Sequence, residues 1–194
     1  MLDIAVLVML SHYSNSIVVI GDSISEGAPI THSSVRGGTE VNHYGSIPYE
    51  LENRYGIKVH NRGYSGNTSD KVRARWCRDV LQLTPSNVFI LVGINDLGTG
   101  KSLENLKDNI LFFISSAKEH NIIPTIATVG YSRIVKEEYQ ENILKFNEFL
   151  YEQNVSVYDY YGWTIIHQDM IPDGLHPSPE GYESIGKDIR LPID

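Results

Sequence analysis

The sequence predicts a single α/β domain built around one parallel β-sheet, and two observations support this. Short apolar runs alternate with helical patterns from residue 17 to the end of the chain, and strands that alternate with helices of this length favour right-handed β-α-β units. The run at residues 88–92 is continuously apolar, as is typical of a parallel strand covered on both faces. At 194 residues the chain has the size of one domain. We therefore expect residues 17–194 to form that domain, preceded by a segment at residues 1–16 that docks on it or on a partner chain in a homo-oligomer.

Each predicted element rests on a local pattern. Five β-prone runs are the predicted strands: residues 16–21, 57–61, 88–92, 122–128 and 155–158. The second run is more polar, which favours a place near a sheet edge. Five stretches with apolar residues at helical spacing are the predicted helices: residues 44–55, 68–83, 102–120, 137–153 and 179–189. Gly56 is placed to end the first helix, Ser102 to begin the third, and Pro179 lies in the first turn of the last.

Composition excludes several classes of partner. The chain has 24 acidic and 16 basic residues and a formal net charge of −8, which argues against nucleic acid. The apolar run at residues 4–10 is too short to span a bilayer, and no Lys or Arg precedes it as in a secretory signal. We therefore expect no stable membrane insertion and a cytoplasmic location, with export as the alternative.

Cys77 is the only cysteine, so an intrachain disulfide is impossible. We expect the Cys77 side chain to pack in the core beside Trp76.

Four short blocks carry groups that could do chemistry, and each lies where a strand gives way to a loop or in a loop near the chain's end. They are residues 21–23 (Gly-Asp-Ser), Gly66, residues 93–96 (Gly-Ile-Asn-Asp) and residues 173–176 (Asp-Gly-Leu-His). In an open α/β sheet the carboxyl ends of the strands form the ligand crevice. The blocks are therefore expected to meet there.

Together these blocks hold the parts of a serine hydrolase. The hydroxyl of Ser23 needs a base to become a nucleophile. His176 is the best candidate among seven histidines because Asp173 precedes it by three residues and can orient the imidazole. The side-chain amide of Asn95 and the backbone amides of Gly66 and Ser23 can donate to an oxyanion. Asp96 is expected to hold its loop.

The four blocks resemble those of the SGNH (GDSL-type) hydrolases, which are named for the Ser, Gly, Asn and His present here as Ser23, Gly66, Asn95 and His176. The resemblance extends over essentially the whole chain from residue 17. It implies a flavodoxin-like three-layer α/β/α sandwich with a five-stranded parallel sheet. It also implies Ser23 as nucleophile and oxyanion donor, Gly66 and Asn95 completing the oxyanion hole, His176 as base, Asp173 orienting it, and no metal or cofactor. Ile24 replaces the leucine of the family name, a conservative departure.

The substrate is predicted less directly. Compact members of the family include thioesterases, lysophospholipases and sugar acetylesterases, and the loops after the strands are polar here. We expect a small-molecule ester with a small acyl group, such as an acetyl ester of a polar or carbohydrate alcohol. The candidate substrate-binding residues are Arg36, Tyr131 and Arg133.

Other functions are compatible with parts of the pattern. A thioesterase or lysophospholipase would use the same residues, and a non-catalytic binding module could use the same fold. A phosphate or cofactor binder at residues 21–27 is disfavoured because Asp22 and Glu26 would repel an anion. A metal site would draw on Asp22, Asp96, Asp173 and His176.

Overall fold

The protein contains the predicted parallel sheet. The structure is a computed structural model and describes residues 14–30 and 42–193. Within these residues five strands form one sheet in the order β2-β1-β3-β4-β5, with every pair parallel. The strands are β1 (Ser14–Gly21), β2 (Lys58–Gly63), β3 (Pro85–Leu91), β4 (Ile123–Ala127) and β5 (Ser156–Tyr158). This order is that of a flavodoxin-like doubly wound sheet, and β2 lies at its edge as predicted.

Eight α-helices connect and flank the strands in the described residues. They are α1 (Ser23–Glu26), α2 (Ile47–Tyr55), α3 (Ser69–Asp79), α4 (Ile94–Leu97), α5 (Leu103–Glu119), α6 (Glu137–Tyr151), α7 (Tyr160–Ile166) and α8 (Pro179–Asp188). Two short 3-10 turns, Leu81–Leu83 and Gln168–Met170, complete the set. All five predicted helices are present, whereas α1, α4 and α7 were not predicted.

The ends of the predicted helices follow their capping residues. The hydroxyl of Ser102 accepts from the amide of Asn105, and that of Ser178 accepts from the amide of Gly181, which satisfies amides that lack a partner within the helix. Gly56 ends α2 in the left-handed conformation with φ of 66°. None of the helices in the described ranges is long and apolar enough to cross a membrane.

The helices cover both faces of the sheet and enclose one core. Helices α2 and α8 pack together on one face, while α3, α5 and α6 pack on the other. On that second face the ring of Trp76 stacks on Phe113 with centroids 4.8 Å apart, and its indole N–H donates to the hydroxyl of Ser116 at 3.0 Å. The sheet is therefore fixed from both sides, and the carboxyl ends of β1 and β3 are held in register.

Some sequence expectations are wrong or fall outside the described residues. Cys77 is exposed, because neighbouring helical residues point about 100° apart and Trp76 occupies the buried face of α3. Strand β1 begins at Ser14, inside the segment that was predicted to precede the domain. Arg36 and residues 1–13 lie outside the described ranges.

Candidate active site

Ser23 is placed at the carboxyl end of β1 by a tight strand-to-helix turn. A Cβ at Gly21 would lie 1.8 Å from the carbonyl oxygen of Leu91, so only glycine allows β1 and β3 to approach this closely. Asp22 then caps α1, with its Oδ1 accepting from the amide of Ile24 at 3.0 Å. Ser23 is the first residue of α1 and is 7% exposed. Its hydroxyl therefore lies just past the carboxyl end of β1, at a fixed helix start.

His176 and Asp173 reach Ser23 from the loop before α8. The imidazole Nε2 of His176 lies 2.9 Å from the Oγ of Ser23, and its Nδ1 lies 2.7 Å from Oδ2 of Asp173. The three groups thus form a continuous hydrogen-bonded chain across 153 residues of sequence. This is the order of contacts that lets an imidazole take a hydroxyl proton while a carboxylate stabilises its charged form.

The local fold of residues 173–176 keeps the Asp173 carboxylate in place. Its Oδ1 accepts from the backbone amides of Leu175 and His176 at 2.8 and 2.7 Å. Partial burial acts to raise the pKa of Asp173, but the hydrogen bonds from the His176 amide, the His176 imidazole and the Leu175 amide outweigh it and lower this pKa. The carboxylate is therefore held in its charged form beside the imidazole.

A second loop supports the Asp173–His176 turn from outside. The buried hydroxyl of Ser132 donates to the carbonyl of Gly174 at 2.8 Å, and the amide of Arg133 donates to the same carbonyl at 3.1 Å. The guanidinium of Arg133 donates to the carbonyl of Ile171 at 2.7 Å. Arg133 is a predicted substrate ligand, and in the structure its guanidinium contacts the turn that carries His176.

Gly66 and Asn95, the two other predicted oxyanion donors, are joined through Asn67. Gly66 has φ of +72° in open space, so the left-handed backbone, not crowding, favours glycine at this position. Asn95 lies in the single turn of α4, and its side-chain N–H₂ donates to the carbonyl of Asn67 at 2.9 Å. That contact uses one of the two amide hydrogens, which leaves the other to donate elsewhere.

Asp96 has the structural role that was expected. Both oxygens of its buried carboxylate accept from the amide of Ser69, at 3.1 and 3.0 Å, and Oδ1 accepts from the hydroxyl of Ser69 at 2.7 Å. The contact fixes the start of α3 against α4 and thereby holds the loop that contains Gly66 and Asn67. Within the described residues no group of three or more His, Cys, Asp or Glu side chains is arranged to hold a metal ion.

Asp22 is buried, and within residues 14–30 and 42–193 it forms no ion pair that would offset its charge. It is fully buried, and its Oδ2 has no hydrogen-bond partner among the described residues. Burial, joined by the nearby charge of Asp96, raises the pKa of Asp22 to about 7 in spite of the hydrogen bond from the Ile24 amide. A group that titrates close to neutral pH therefore directly precedes Ser23.

Sequence reasoning missed the residues that hold the site from behind. Glu26 was considered only as an acidic loop residue, yet it is buried in α1 and its carboxylate accepts from Ser65. Ser132 and Arg75 were not singled out. Ser132 contacts Gly174 and Arg75 contacts Gly21, which lie 42 and 54 residues away along the chain. A local sequence pattern does not show these two contacts. Tyr131, a predicted substrate residue, lies beside Ser132 and is half-buried.

The fold is a flavodoxin-like doubly wound sheet, and the side chains of Ser23, His176 and Asp173 meet at the carboxyl end of β1. The chain belongs to the GDSL-like lipase/acylhydrolase family, whose family model matches residues 19–183. The resemblance seen in the sequence is thereby confirmed.

Individual relatives match parts of the chain or its fold. The uncharacterized lipoprotein YqeF of Bacillus subtilis is 30% identical over 118 residues, which is 58% of this chain and 47% of YqeF. An acetylxylan esterase of Geobacillus stearothermophilus is 40% identical over 57 residues, or 29% of this chain and 26% of the esterase. The matched regions thus span less than half of either relative. A solved structure of a G-D-S-L family protein from Desulfitobacterium hafniense DCB-2 superposes with a TM-score of 0.73 at 26% identity, covering 90% of this chain and 97% of that one.

Proposed function

We propose that this protein is a serine esterase that cleaves carboxylic esters of small acyl groups through an acyl-serine intermediate, with acetyl esters of polar or carbohydrate alcohols as its substrate class. The observation that carries the chemistry is the hydrogen-bonded chain from Ser23 through His176 to Asp173, with contacts of 2.9 and 2.7 Å. A positioned base and its orienting carboxylate are what a serine hydroxyl requires for attack on an ester.

In the first half of the proposed reaction the ester is broken and the enzyme is acylated. Ser23 Oγ attacks the ester carbonyl carbon as its proton passes to Nε2 of His176. The tetrahedral oxyanion accepts hydrogen bonds from the amides of Ser23 and Gly66 and from the side chain of Asn95. The intermediate then collapses, the bond to the alcohol oxygen breaks, and the alcohol leaves with the proton from His176.

In the second half water regenerates the enzyme. His176 takes a proton from water as the water oxygen attacks the acyl-serine carbonyl. The same three donors face the new oxyanion. Collapse releases the carboxylic acid and returns the proton to Ser23. Asp173, whose pKa is lowered by its hydrogen bonds to the loop in opposition to partial burial, stays charged beside the imidazolium throughout.

Sequence similarity supports the proposed substrate class. The stretch of 57 residues that is 40% identical to an acetylxylan esterase is the sequence similarity that favours an acetyl group.

The first test compares wild type with Ser23→Ala on p-nitrophenyl acetate, butyrate and octanoate, followed by acetylated sugars. We expect turnover that is fastest on acetate and absent in the variant, with acetate released from the acetylated sugar. The absence of both turnover on any ester or thioester and fluorophosphonate labelling of Ser23 would contradict the esterase and favour a non-catalytic binding role. Labelling without turnover would show that Ser23 is reactive and would contradict the proposed substrate class alone. Octanoate turned over faster than acetate would contradict the small acyl group.

A further inference from the structure

Arg75 on α3 is a buried cation that the proposed mechanism does not use. Its side chain is 10% exposed, and it lies within the second turn of α3. The guanidinium stacks over the ring of Tyr64 at 4.1 Å. A buried arginine requires hydrogen-bond partners for its donors. The partners of Arg75 therefore show which segments of the chain it fixes in place.

The partners of Arg75 belong to the two sides of the candidate site. One terminal nitrogen donates to the carbonyl of Gly21 at 2.8 Å. The other donates to the carbonyl of Arg62 at 2.8 Å, and Nε donates to the side-chain oxygen of Asn67 at 3.0 Å. Gly21 lies two residues before Ser23, whereas Asn67 directly follows Gly66. One rigid planar group therefore contacts both the turn that carries the hydroxyl and the loop that carries an oxyanion donor.

The same contacts extend to Asn95. The side-chain oxygen of Asn67 is held by Arg75, while its backbone carbonyl accepts from the Asn95 side chain at 2.9 Å. The amide of Tyr64 also donates to the carbonyl of Gly21, at 3.1 Å, so the stacked tyrosine joins the same connection. The guanidinium of Arg75 therefore links the turn that carries Ser23 to the loop of Gly66 and, through Asn67, to the side chain of Asn95.

The charge of Arg75 is balanced from within α3. Asp79, one helical turn away, accepts from Arg75 at 2.8 Å and is 3% exposed. Arg78 contacts the same carboxylate at 2.7 Å, but its own side chain is 60% exposed and the contacts found for it lead to Asp79 alone. Arg78 therefore offers a control that shares the ion-pair partner of Arg75 and, within the part of the chain that the structure describes, has no hydrogen bond to either loop.

From these contacts we infer that Arg75 is a positioning residue, which sets the distance between the Ser23 nucleophile and the oxyanion donors Gly66 and Asn95. The inference rests on the proposed esterase function. The inferred role depends on geometry that lysine cannot reproduce, because an ammonium group is a compact charge without the planar fork that here reaches four separate acceptors. A misplaced oxyanion donor costs transition-state stabilisation rather than substrate affinity.

The test measures kcat and KM on p-nitrophenyl acetate for wild type, Arg75→Lys, Arg75→Ala and Arg78→Ala, with thermal unfolding of each. Turnover by the wild-type protein tests the proposed function separately. If the wild type does not hydrolyse the ester, the proposed esterase function fails independently of any role of Arg75. We expect kcat to fall roughly 10²-fold in both Arg75 variants, KM to change less than about threefold, and Arg78→Ala to stay within about twofold of wild type. Millimolar methylguanidine should restore part of the lost kcat in Arg75→Ala and have no effect on Arg75→Lys.

The contrary results are equally specific. A folded Arg75→Lys with wild-type kcat would show that charge alone suffices and would overturn the inference. So would a loss of activity in Arg75→Ala that equals the loss of folded protein at the assay temperature and does not respond to methylguanidine. If Arg75→Ala does not fold, Arg75→Lys alone decides the outcome by its kcat and KM.

Discussion

The carboxylate of Glu26 accepts hydrogen bonds from both the backbone amide and the hydroxyl of Ser65, with the amide at 2.8 Å. Glu26 lies in the same turn of helix as Ser23, and Ser65 directly precedes Gly66. The helix that begins with the candidate nucleophile is therefore joined to the loop of a candidate oxyanion donor. Glu26 thus contacts the residue before Gly66, whereas Arg75 contacts Asn67, the residue after it.

Removing this carboxylate is expected to cost both stability and activity. Glu26 is 1% exposed, so Glu26→Ala should lower the free energy of unfolding by about 1–3 kcal/mol through the lost hydrogen bonds. It should also lower kcat on p-nitrophenyl acetate by about tenfold, because Gly66 loses its fixed position. Urea unfolding and steady-state kinetics measure the two effects. Glu26→Gln, which keeps one acceptor oxygen, should retain more of both; equal losses in the two variants would argue against the hydrogen bonds as the cause.

Asn95 gives a prediction that separates binding from catalysis. Its side-chain N–H₂ has one hydrogen on the carbonyl of Asn67, and the other is proposed to meet the oxyanion. Asn95→Ala should reduce kcat by about 10²–10³-fold with little change in KM. Asn105→Ala, which removes a surface amide bonded to Asp70, is the matched control. A rise in KM at constant kcat would place Asn95 in substrate binding instead.

The charge on Asp173 is expected to matter more than its shape. Asp173→Asn keeps an acceptor oxygen for the amides of Leu175 and His176, but it loses the negative charge beside the imidazole. We expect kcat to fall by at least about 10²-fold, since an imidazolium is no longer stabilised and the ring tautomer is no longer fixed. Steady-state kinetics on p-nitrophenyl acetate measure this, with thermal unfolding as the control. Near wild-type kcat in a folded variant would exclude Asp173 as the orienting residue.

The sequence predicted those parts of the fold that local patterns determine. The long helix that begins after the Ser102 cap is confirmed, and so is the strand predicted from the continuously apolar run at residues 88–92, most of which lies in β3. Helices α1 and α4 are four residues long, too short to show a periodicity. Helix α7 contains Tyr, Trp, Thr and Ile, residues with modest helix propensity, and it is fixed by its Asp159 cap and by burial of Trp163.

The candidate site likewise has parts that the sequence predicts and parts that only the fold shows. The four sequence blocks contain the groups proposed to contact the substrate or one another, because residue type and order indicate them. The supporting contacts of Glu26, Arg75 and Ser132 join residues 39, 54 and 42 positions apart, and only the folded chain shows them. Asp22 is intermediate: its place in the first block is clear from the sequence, but its protonation depends on burial.

The stability of the protein should fall as pH rises from about 4 to about 7 because of Asp22. Burial raises the pKa of this carboxyl to about 7 in the folded protein, whereas an unfolded chain has the ordinary value near 4. The folded state therefore binds the proton more tightly, so the stabilisation is complete below about pH 4 and is lost as pH rises to about 7. Asp22→Asn keeps an acceptor for the Ile24 amide and cannot ionise, so it should lack this dependence. Urea unfolding of wild type and Asp22→Asn at pH 5, 6, 7 and 8 measures the difference between their free energies of unfolding. This difference should change by up to about 1.4 kcal/mol per pH unit below pH 7. Parallel stability curves would mean that Asp22 ionises in the folded protein at its ordinary pKa and that its burial is compensated by a partner.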